Sequence, residues 1–487
     1  MDASQEQLDR VSQDDRQQLL QNANSYYKCI KDFLSYKVTF LGVLICLNLL
    51  NYIDRFTVPG VMTLIKKDMS LDDRQEGLLQ TAFIASYMFL APLFGYLGDR
   101  MSRKLLILFG MTVWVGAVLI SSFLQSYYPF LIMRMLIGVG EAAYSTVTPA
   151  IIADLFLGTA RTRALTAFYI AMPVGSGLGF IVAASVSAWT GHWSWALRVS
   201  PVLGCLLLVI FALYFEEPAR GAAEHTDMTP TSYLEDIREL FKIPTYVLIV
   251  CASIAVYFVT GALSWWTPNV TKYAWRVVNR DSVSPEWFSS IVGVIFMFGG
   301  LFGVPMGSSI SKCWANGFSF HSFRVPPNPR ADPLYCAVGL LIAVPFLWVG
   351  LLLMLHFALL LSWICTFVVI LFLASNYSIT TDVILYVTPP IRRSSANAIQ
   401  MLISHLFGDA GSPYIVGIVS DGLKASRGHA VQADIFEFYA LRDALFLVSL
   451  VLPIGAFFYF MAALQVEKDR GKLEQLAATT QEPSQEN

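Results

Sequence analysis

The sequence predicts an all-α polytopic membrane protein, with twelve transmembrane helices in two pseudo-symmetric six-helix halves. Three observations carry this reading. Hydrophobic residues make up 55% of the 487-residue chain and charged residues 14%, with a mean hydropathy of +0.56, whereas soluble domains carry about 25% charged residues. Twelve apolar runs approach the roughly 20 residues needed to cross a hydrocarbon core of about 30 Å. A polar stretch, 216–244, divides them six and six, the layout of transporters built from two repeats around a midplane site.

The spans fall near 38–60, 77–97, 105–124, 129–156, 164–190, 194–215, 245–268, 288–311, 334–355, 357–387, 395–420 and 439–464. Pro149, Pro173, Pro305, Gly175, Gly177 and Gly179 lie inside spans, where neighbouring helices can satisfy the freed backbone. Between 334 and 387 only His356 separates two apolar runs. The chain therefore divides into a cytosolic tail (1–37), a first half (38–215), a cytosolic linker (216–244), a second half (245–464) and a cytosolic tail (465–487). In the linker, Leu234, Ile237 and Phe241 stand at helical spacing. That segment is either a helix lying on the membrane surface or a plain solvated connection. Spans five and eleven each follow a basic pair, Arg161/Arg163 or Arg392/Arg393, and each carries a knot of small residues, "GSGLG" (175–179) or "GDAGSP" (408–413). This echo fits a duplication, and small residues let helices approach closely.

Orientation follows from Lys and Arg in short loops. One set of loops holds Arg100, Arg103 and Lys104, then Arg161 and Arg163, then Arg392 and Arg393, while 125–129 and 190–195 hold none. Loop 269–287 runs against the trend with Lys272, Arg276 and Arg280. Both termini are expected in the cytosol, and the polar start of the chain lacks the apolar core of a cleavable signal.

A net charge of −2 offers no footprint for nucleic acid. The seven cysteines (29, 46, 205, 251, 313, 336, 365) show no metal-ligand or disulfide spacing. No G-x-x-x-x-G-K-[ST] loop is present, which removes a primary ATP pump. No Ser/His/Asp set converges on one face, so no enzyme activity, cofactor or metal is expected.

Four charges stand out within the oil. "NYIDRFTVPG" (51–60) places Asp54 and Arg55 in the first span, and the fourth holds Arg134 and Glu141, seven residues apart and so on one helix face. Gly138, Ser145 and Thr148 continue that stripe. A charge at the bilayer centre costs about 2.5–3.5 kcal/mol on insertion scales and faces a cavity or a partner. Two acids and two arginines exceed what helix packing needs, although a purely structural pairing is the alternative. In span eleven His405 and Asp409 are four apart, forming either a proton relay or a structural histidine. Asp382 is expected to pair with Arg392 or Arg393, and Asp154 to play the matching part in the first half.

"GYLGDRMSRK" (95–104), between spans two and three, resembles the G-x-x-x-D-R-x-G-R-R loop of the major facilitator superfamily, with Ser102 in place of a glycine. The resemblance implies a gating role for Asp99, Arg100 and Arg103. "NYIDRFTVPGV", "GLLQTAFIASYMFLAPLFGYLGDR", "IGVGEAAYSTVTPAIIADLF", "FYIAMPVGSGLGF", "WALRVSP", "ADPLYCAVG" and "SHLFGDAGSPYIVG" together resemble the spinster family over about residues 38–464. The segments 271–287 and 313–330 depart from that pattern and leave the choice of lipid open. The resemblance implies the major facilitator fold, alternating access, and movement of lysophospholipids, sphingosine or sphingosine 1-phosphate with protons as the coupling ion. It maps an acid–arginine set onto Asp54, Arg55, Arg134 and Glu141.

On that reading Arg55 and Arg134 hold the head group, because the planar guanidinium fork matches phosphate oxygens and stays charged. Asp54, Glu141, His405 and Asp409 are the candidate proton carriers. Phe258, Trp265, Trp266, Phe296 and Phe298 flank a channel for the tail, or the tryptophans belong to an interfacial belt; the resemblance favours Trp266. Tyr169 is a polar contact or ordinary packing. The alternative function is transport of a small polar or organic-anion solute on the same fold. "DRQQLL" (15–20) fits D-x-x-x-L-L through Asp15, Leu19 and Leu20, a sorting signal read by adaptors. A lysosomal or late endosomal membrane is therefore expected, with the plasma membrane as alternative. "NVT" makes Asn269 a glycosylation acceptor, and the protein is expected to be a monomer bound to an amphipathic lipid substrate.

Overall fold

In a bilayer, apolar runs satisfy their backbone as helices. The computed structural model describes residues 37–156, 158–215, 233–279, 286–320, 323–355, 359–389, 392–427 and 433–481. Among them, twelve helical segments are long and apolar enough to cross a membrane. The first half comprises α1 (Lys37–Met69), α2 (Asp73–Arg100), α3 (Arg103–Ser121), α4 (Tyr127–Leu155), α5 (Gly158–Thr190) and α6 (Trp193–Tyr214). A short helix, α7 (Tyr233–Leu240), precedes the second half. That half begins with α8 (Pro244–Asn279), α9 (Glu286–Asn316), α10 (Ala331–Leu353) and α11 (Leu359–Val387). Its eleventh span is α12 (Arg393–Ser404), a π-helical turn (His405–Asp409) and α13 (Gly411–Arg427), and its twelfth is α14 (Ala433–Ser449) followed by α15 (Val451–Gln481). A small antiparallel hairpin, β1 (Phe318–Phe320) with β2 (Phe323–Val325), sits between α9 and α10. The ambiguous run at 334–387 divides between Leu353 and Leu359.

Several helices outrun their apolar cores. α8 continues to Asn279 and α2 starts at Asp73, because the polar residues at these ends face protein rather than lipid. Asn269, Lys272, Asp73 and Glu76 are all buried. Asn269 has no exposed surface and its amide donates to Glu76. The glycosylation reading is therefore corrected: a fully enclosed asparagine inside a helix is closed to a glycosyltransferase.

Helix ends follow local chemistry. Asp72 caps α2 in a reciprocal box with Gln75. Ser102, where the loop motif has glycine, caps α3 by accepting from the Leu105 amide at 3.5 Å. Arg103 turns inward to pair with Asp154 at the end of α4. The equivalent pair in the second half is Lys312 with Asp382, at 3.7 Å. Asp382 thus takes its partner from the last turns of α9 and not from Arg392 or Arg393, because Lys312 is the basic residue that faces it.

The two halves meet along α5–α9 and α2–α13. A Cβ on Gly177 would lie 2.7 Å from the Gly293 carbonyl oxygen, and one on Gly77 would lie 2.3 Å from the Pro413 carbonyl oxygen. These glycines allow backbone-to-backbone docking. At the ends that the Lys/Arg pattern assigns to the non-cytosolic side, a buried charge cluster ties the halves together. Asp73 takes Lys66 from α1 and Lys424 from α13, the latter at 2.5 Å, with the Ser420 hydroxyl donating at 2.6 Å. Glu437 of α14 lies 3.5 Å from Lys66 and 2.6 Å from Lys424. Two ammonium groups from opposite halves thus share one carboxylate. Removing one partner of such a buried set costs about 3–5 kcal/mol. Asp73→Asn is therefore expected to loosen this end. A Val416→Cys reporter on buried α13 should then react with a membrane-impermeant maleimide from the non-cytosolic side at least about tenfold faster. An unchanged labelling rate would contradict the lock.

Candidate functional site

Asp54 and Arg55 are consecutive on α1, and consecutive helical residues point about 100° apart. Their side chains accordingly serve different partners. Asp54, 2% exposed, accepts from Trp114 Nε1 of α3 at 3.0 Å and from the Ser200 hydroxyl of α6 at 2.6 Å. It ties three helices of one half and touches neither arginine. Arg55 faces the other half: one terminal nitrogen donates to Asp409 Oδ2 at 3.0 Å, and the other lies 3.5 Å from Glu141 Oε1 of α4.

Arg134 has no exposed surface. A Cβ on Gly138 would lie 2.4 Å from the Phe83 carbonyl oxygen, so glycine lets α4 dock on α2 and brings Arg134 to Gln80. One terminal nitrogen donates to Gln80 Oε1 at 3.0 Å, and the guanidinium sits 4.6 Å from the Phe83 ring centre. The Arg55 guanidinium is 5.3 Å from the same ring. Arg134 keeps its Nε and its other terminal nitrogen without a hydrogen-bond acceptor, and Arg55 keeps its Nε. A buried charged donor left unpaired is costly, and the two guanidiniums keep that unmet capacity here.

The opposite wall is the π-helical turn. Such turns re-aim side chains and recur at functional sites. Here the turn carries His405 and Asp409, with the His405 Nδ1 3.3 Å from Asp409 Oδ2 and its ring 4.3 Å from that of Tyr257. A Cβ on Gly261 of α8 would lie 2.5 Å from Asp409 Oδ1, so the glycine makes room for the carboxylate.

The remaining sequence-predicted residues spread more widely. Tyr169 is 46% exposed, and its ring packs on Phe168 at 5.4 Å. Trp266 is fully buried and donates to the Pro413 carbonyl at 3.1 Å. Phe296 packs on Phe180 of α5, Phe258 is half-buried, and Phe298 lines an apolar groove of about 490 Å³ between α5, α9 and α11, with Ile181, Trp363 and Phe367. The expectation that these aromatics flank one tail channel is corrected for this conformation. Trp266 and Phe296 close packed interfaces, and Phe298 lies on the far side of α9. Of the gating set, Arg103 is buried on Asp154, Arg100 is exposed over the Tyr96 ring at 4.4 Å, and the Asp99 side chain lies outside the described residues. Asp15, Leu19 and Leu20 also lie outside them.

Sequence reading missed Gln80, Phe83, Trp114, Ser200 and the Lys66–Asp73–Lys424 lock. Asp73, Glu76 and Gln80 stand at spacings of three and four, one polar face of α2 that was available as a signal. Among the described residues no cluster suited to a metal ion occurs.

The Major Facilitator Superfamily model matches residues 44–412. Protein spinster homolog 1 of Xenopus laevis is 43% identical over 456 residues, covering 91% of this chain and 84% of that protein. The Homo sapiens protein of the same name is 42% identical over 447 residues, covering 89% and 82%. Among solved structures, a bacterial homolog to the human lysosomal transporter spinster, inward-facing and unoccupied, superposes with a TM-score of 0.76 at 20% identity, covering 89% of this chain and 98% of that one. The chain has the major facilitator fold and belongs to the spinster family of transporters.

Proposed function

We propose that this protein carries lysophospholipids, sphingosine or sphingosine 1-phosphate across a membrane by alternating access, coupled to protons. The observation that carries the reading is the pair Arg55 and Arg134, buried at mid-membrane with donor groups left unpaired. A phosphate head group supplies several acceptor oxygens at once, and Arg binds such oxygens in pairs. The single chain of a lysolipid needs an apolar wall, and Tyr169 on α5 is our candidate for contact with the polar linkage.

Three carboxylates, Asp54, Glu141 and Asp409, stand against the two guanidiniums in this enclosure. An arriving anion adds to an already negative site. Proton uptake relieves that excess, so occupancy by lipid and by proton rise together. Glu141, which touches Arg55, is placed to exchange that proton; Asp54 acts as an anchor for α3 and α6. Acid on the side facing the open site then favours loading. A lysosomal or late endosomal membrane suits such a carrier, in line with the human relative named as a lysosomal transporter.

Uptake of a lysolipid panel into proteoliposomes, with and without a pH gradient, tests the reading. Arg134→Ala should lower uptake of phosphate-bearing lipids by about 10- to 100-fold, the worth of a charge-assisted hydrogen bond pair, and leave sphingosine within about twofold. Equal loss for both would contradict the head-group role. Glu141→Gln should abolish stimulation by an acidic exterior while lipid exchange without a gradient persists. An unaltered pH response would remove Glu141 from the coupling.

A further inference from the structure

We infer that the pocket between the α3–α4 connection and the start of α6 holds the phosphate of an anionic phospholipid from the non-cytosolic leaflet, with Arg198 as its principal ligand. The site lies apart from Arg55 and Arg134 and does not depend on the head-group reading above. α3 ends at Ser121, α4 begins at Tyr127, α5 ends at Thr190 and α6 begins at Trp193. The two connections that flank the pocket are thus the ones without Lys or Arg, on the side assigned as non-cytosolic. The pocket has a volume of about 350 Å³.

Arg198 is held in place but not neutralised. Its Nε donates to the Ser122 hydroxyl at 3.1 Å, and one terminal nitrogen donates to the Ser122 carbonyl at 3.4 Å. The guanidinium stands 4.5 Å from the centres of both the Phe123 and the Trp195 rings. These contacts fix the planar fork. Among the described residues no carboxylate pairs with it, and its second terminal nitrogen has no acceptor. Arginine keeps its charge at physiological pH, so the pocket is lined by a fixed cation with donor capacity to spare. His192 adds a second donor. Its Nδ1 accepts from the Ser194 amide at 3.3 Å, capping α6, which leaves the proton of the neutral ring on Nε2. Gln125 contributes a side-chain amide, and none of the lining residues is acidic.

Two features select the ligand class. Phe123, Trp189 and Trp195 are exposed around these helix ends, the placement of an interfacial aromatic belt, so the pocket opens at head-group level. The two rings able to hold a choline or ethanolamine ammonium already carry Arg198, and no acid lines the pocket to pair with one. A net-negative phosphodiester therefore fits, whereas a zwitterionic one leaves its cation without a partner. Arginine takes phosphate oxygens in pairs. An occupant here joins the α3–α4 connection to α6. Ser200, two residues on from Arg198 in α6, holds Asp54 together with Trp114 of α3, so the lipid braces the same two helices that anchor that carboxylate.

The test places the full-length protein in nanodiscs of phosphatidylcholine, alone or mixed with phosphatidylglycerol. An uncharged maleimide labels a Gln125→Cys reporter, read against the chain without it. Phosphatidylglycerol should slow labelling at least about fivefold. Adding Arg198→Ala should return the fast rate in both lipids, and Arg198→Lys, which keeps the charge without the fork, should slow labelling only in part. Native mass spectrometry of the detergent-purified protein without the reporter reads the affinity directly. One phosphatidylglycerol should bind about tenfold more tightly than phosphatidylcholine, and Arg198→Ala should abolish that preference. Equal labelling of the reporter in the two lipids with Arg198 intact, or a preference that survives Arg198→Ala, overturns the inference. Inorganic phosphate added to discs of phosphatidylcholine alone should leave the rate unchanged; slowing equal to that by phosphatidylglycerol would mark a site for a soluble anion and overturn the lipid assignment.

Discussion

A guanidinium cannot give up its charge at any physiological pH, so burying one in the middle of a membrane demands an anion beside it. Arg55 and Arg134 impose that demand on the rest of this structure. Arg55 meets it with two carboxylates from different helices, one of them from the opposite half. Arg134 meets it only in part, through the Gln80 carbonyl oxygen and the face of Phe83. The imbalance, one arginine engaged by acids and the other short of acceptors, is the ground on which we propose a binding site here. Trp114 and Ser200 hold Asp54 about 100° round α1 from Arg55, which fixes the rotation of the helix and so aims Arg55.

The same helices that carry the site also carry the closure at one end. α2 holds Gln80 and Phe83 at the site and Asp73 and Glu76 at the lock; α13 follows the π-helical turn and ends with Ser420 and Lys424. A rotation of one half relative to the other must therefore alter both places together, since each helix is a rigid rod. Glycines at Gly77, Gly177 and Gly293 let the backbones of the two halves dock closely.

Much of the architecture was legible because transmembrane helices obey a simple length and hydropathy rule. All twelve spans overlap the apolar runs, and of the acid–arginine set Arg55 meets Glu141. Boundaries failed where polar side chains turn inward. Asn269 and Lys272 read as a loop on hydropathy, yet both are buried in α8. Pairings failed for a different reason: sequence gives the face of a helix and not which helix it meets. Asp154 found Arg103, Asp382 found Lys312, and adjacent Asp54 and Arg55 parted company. The tail-facing aromatics were the least legible, because an aromatic in a packed seam and one in a lumen have the same neighbours in sequence.

The most direct test is an experimental structure of the protein with a bound lysolipid. The account predicts head-group phosphate density bridging Arg55 and Arg134. A head group bound elsewhere, with Arg55 still held by Asp409 and Arg134 still facing only Gln80, would contradict it.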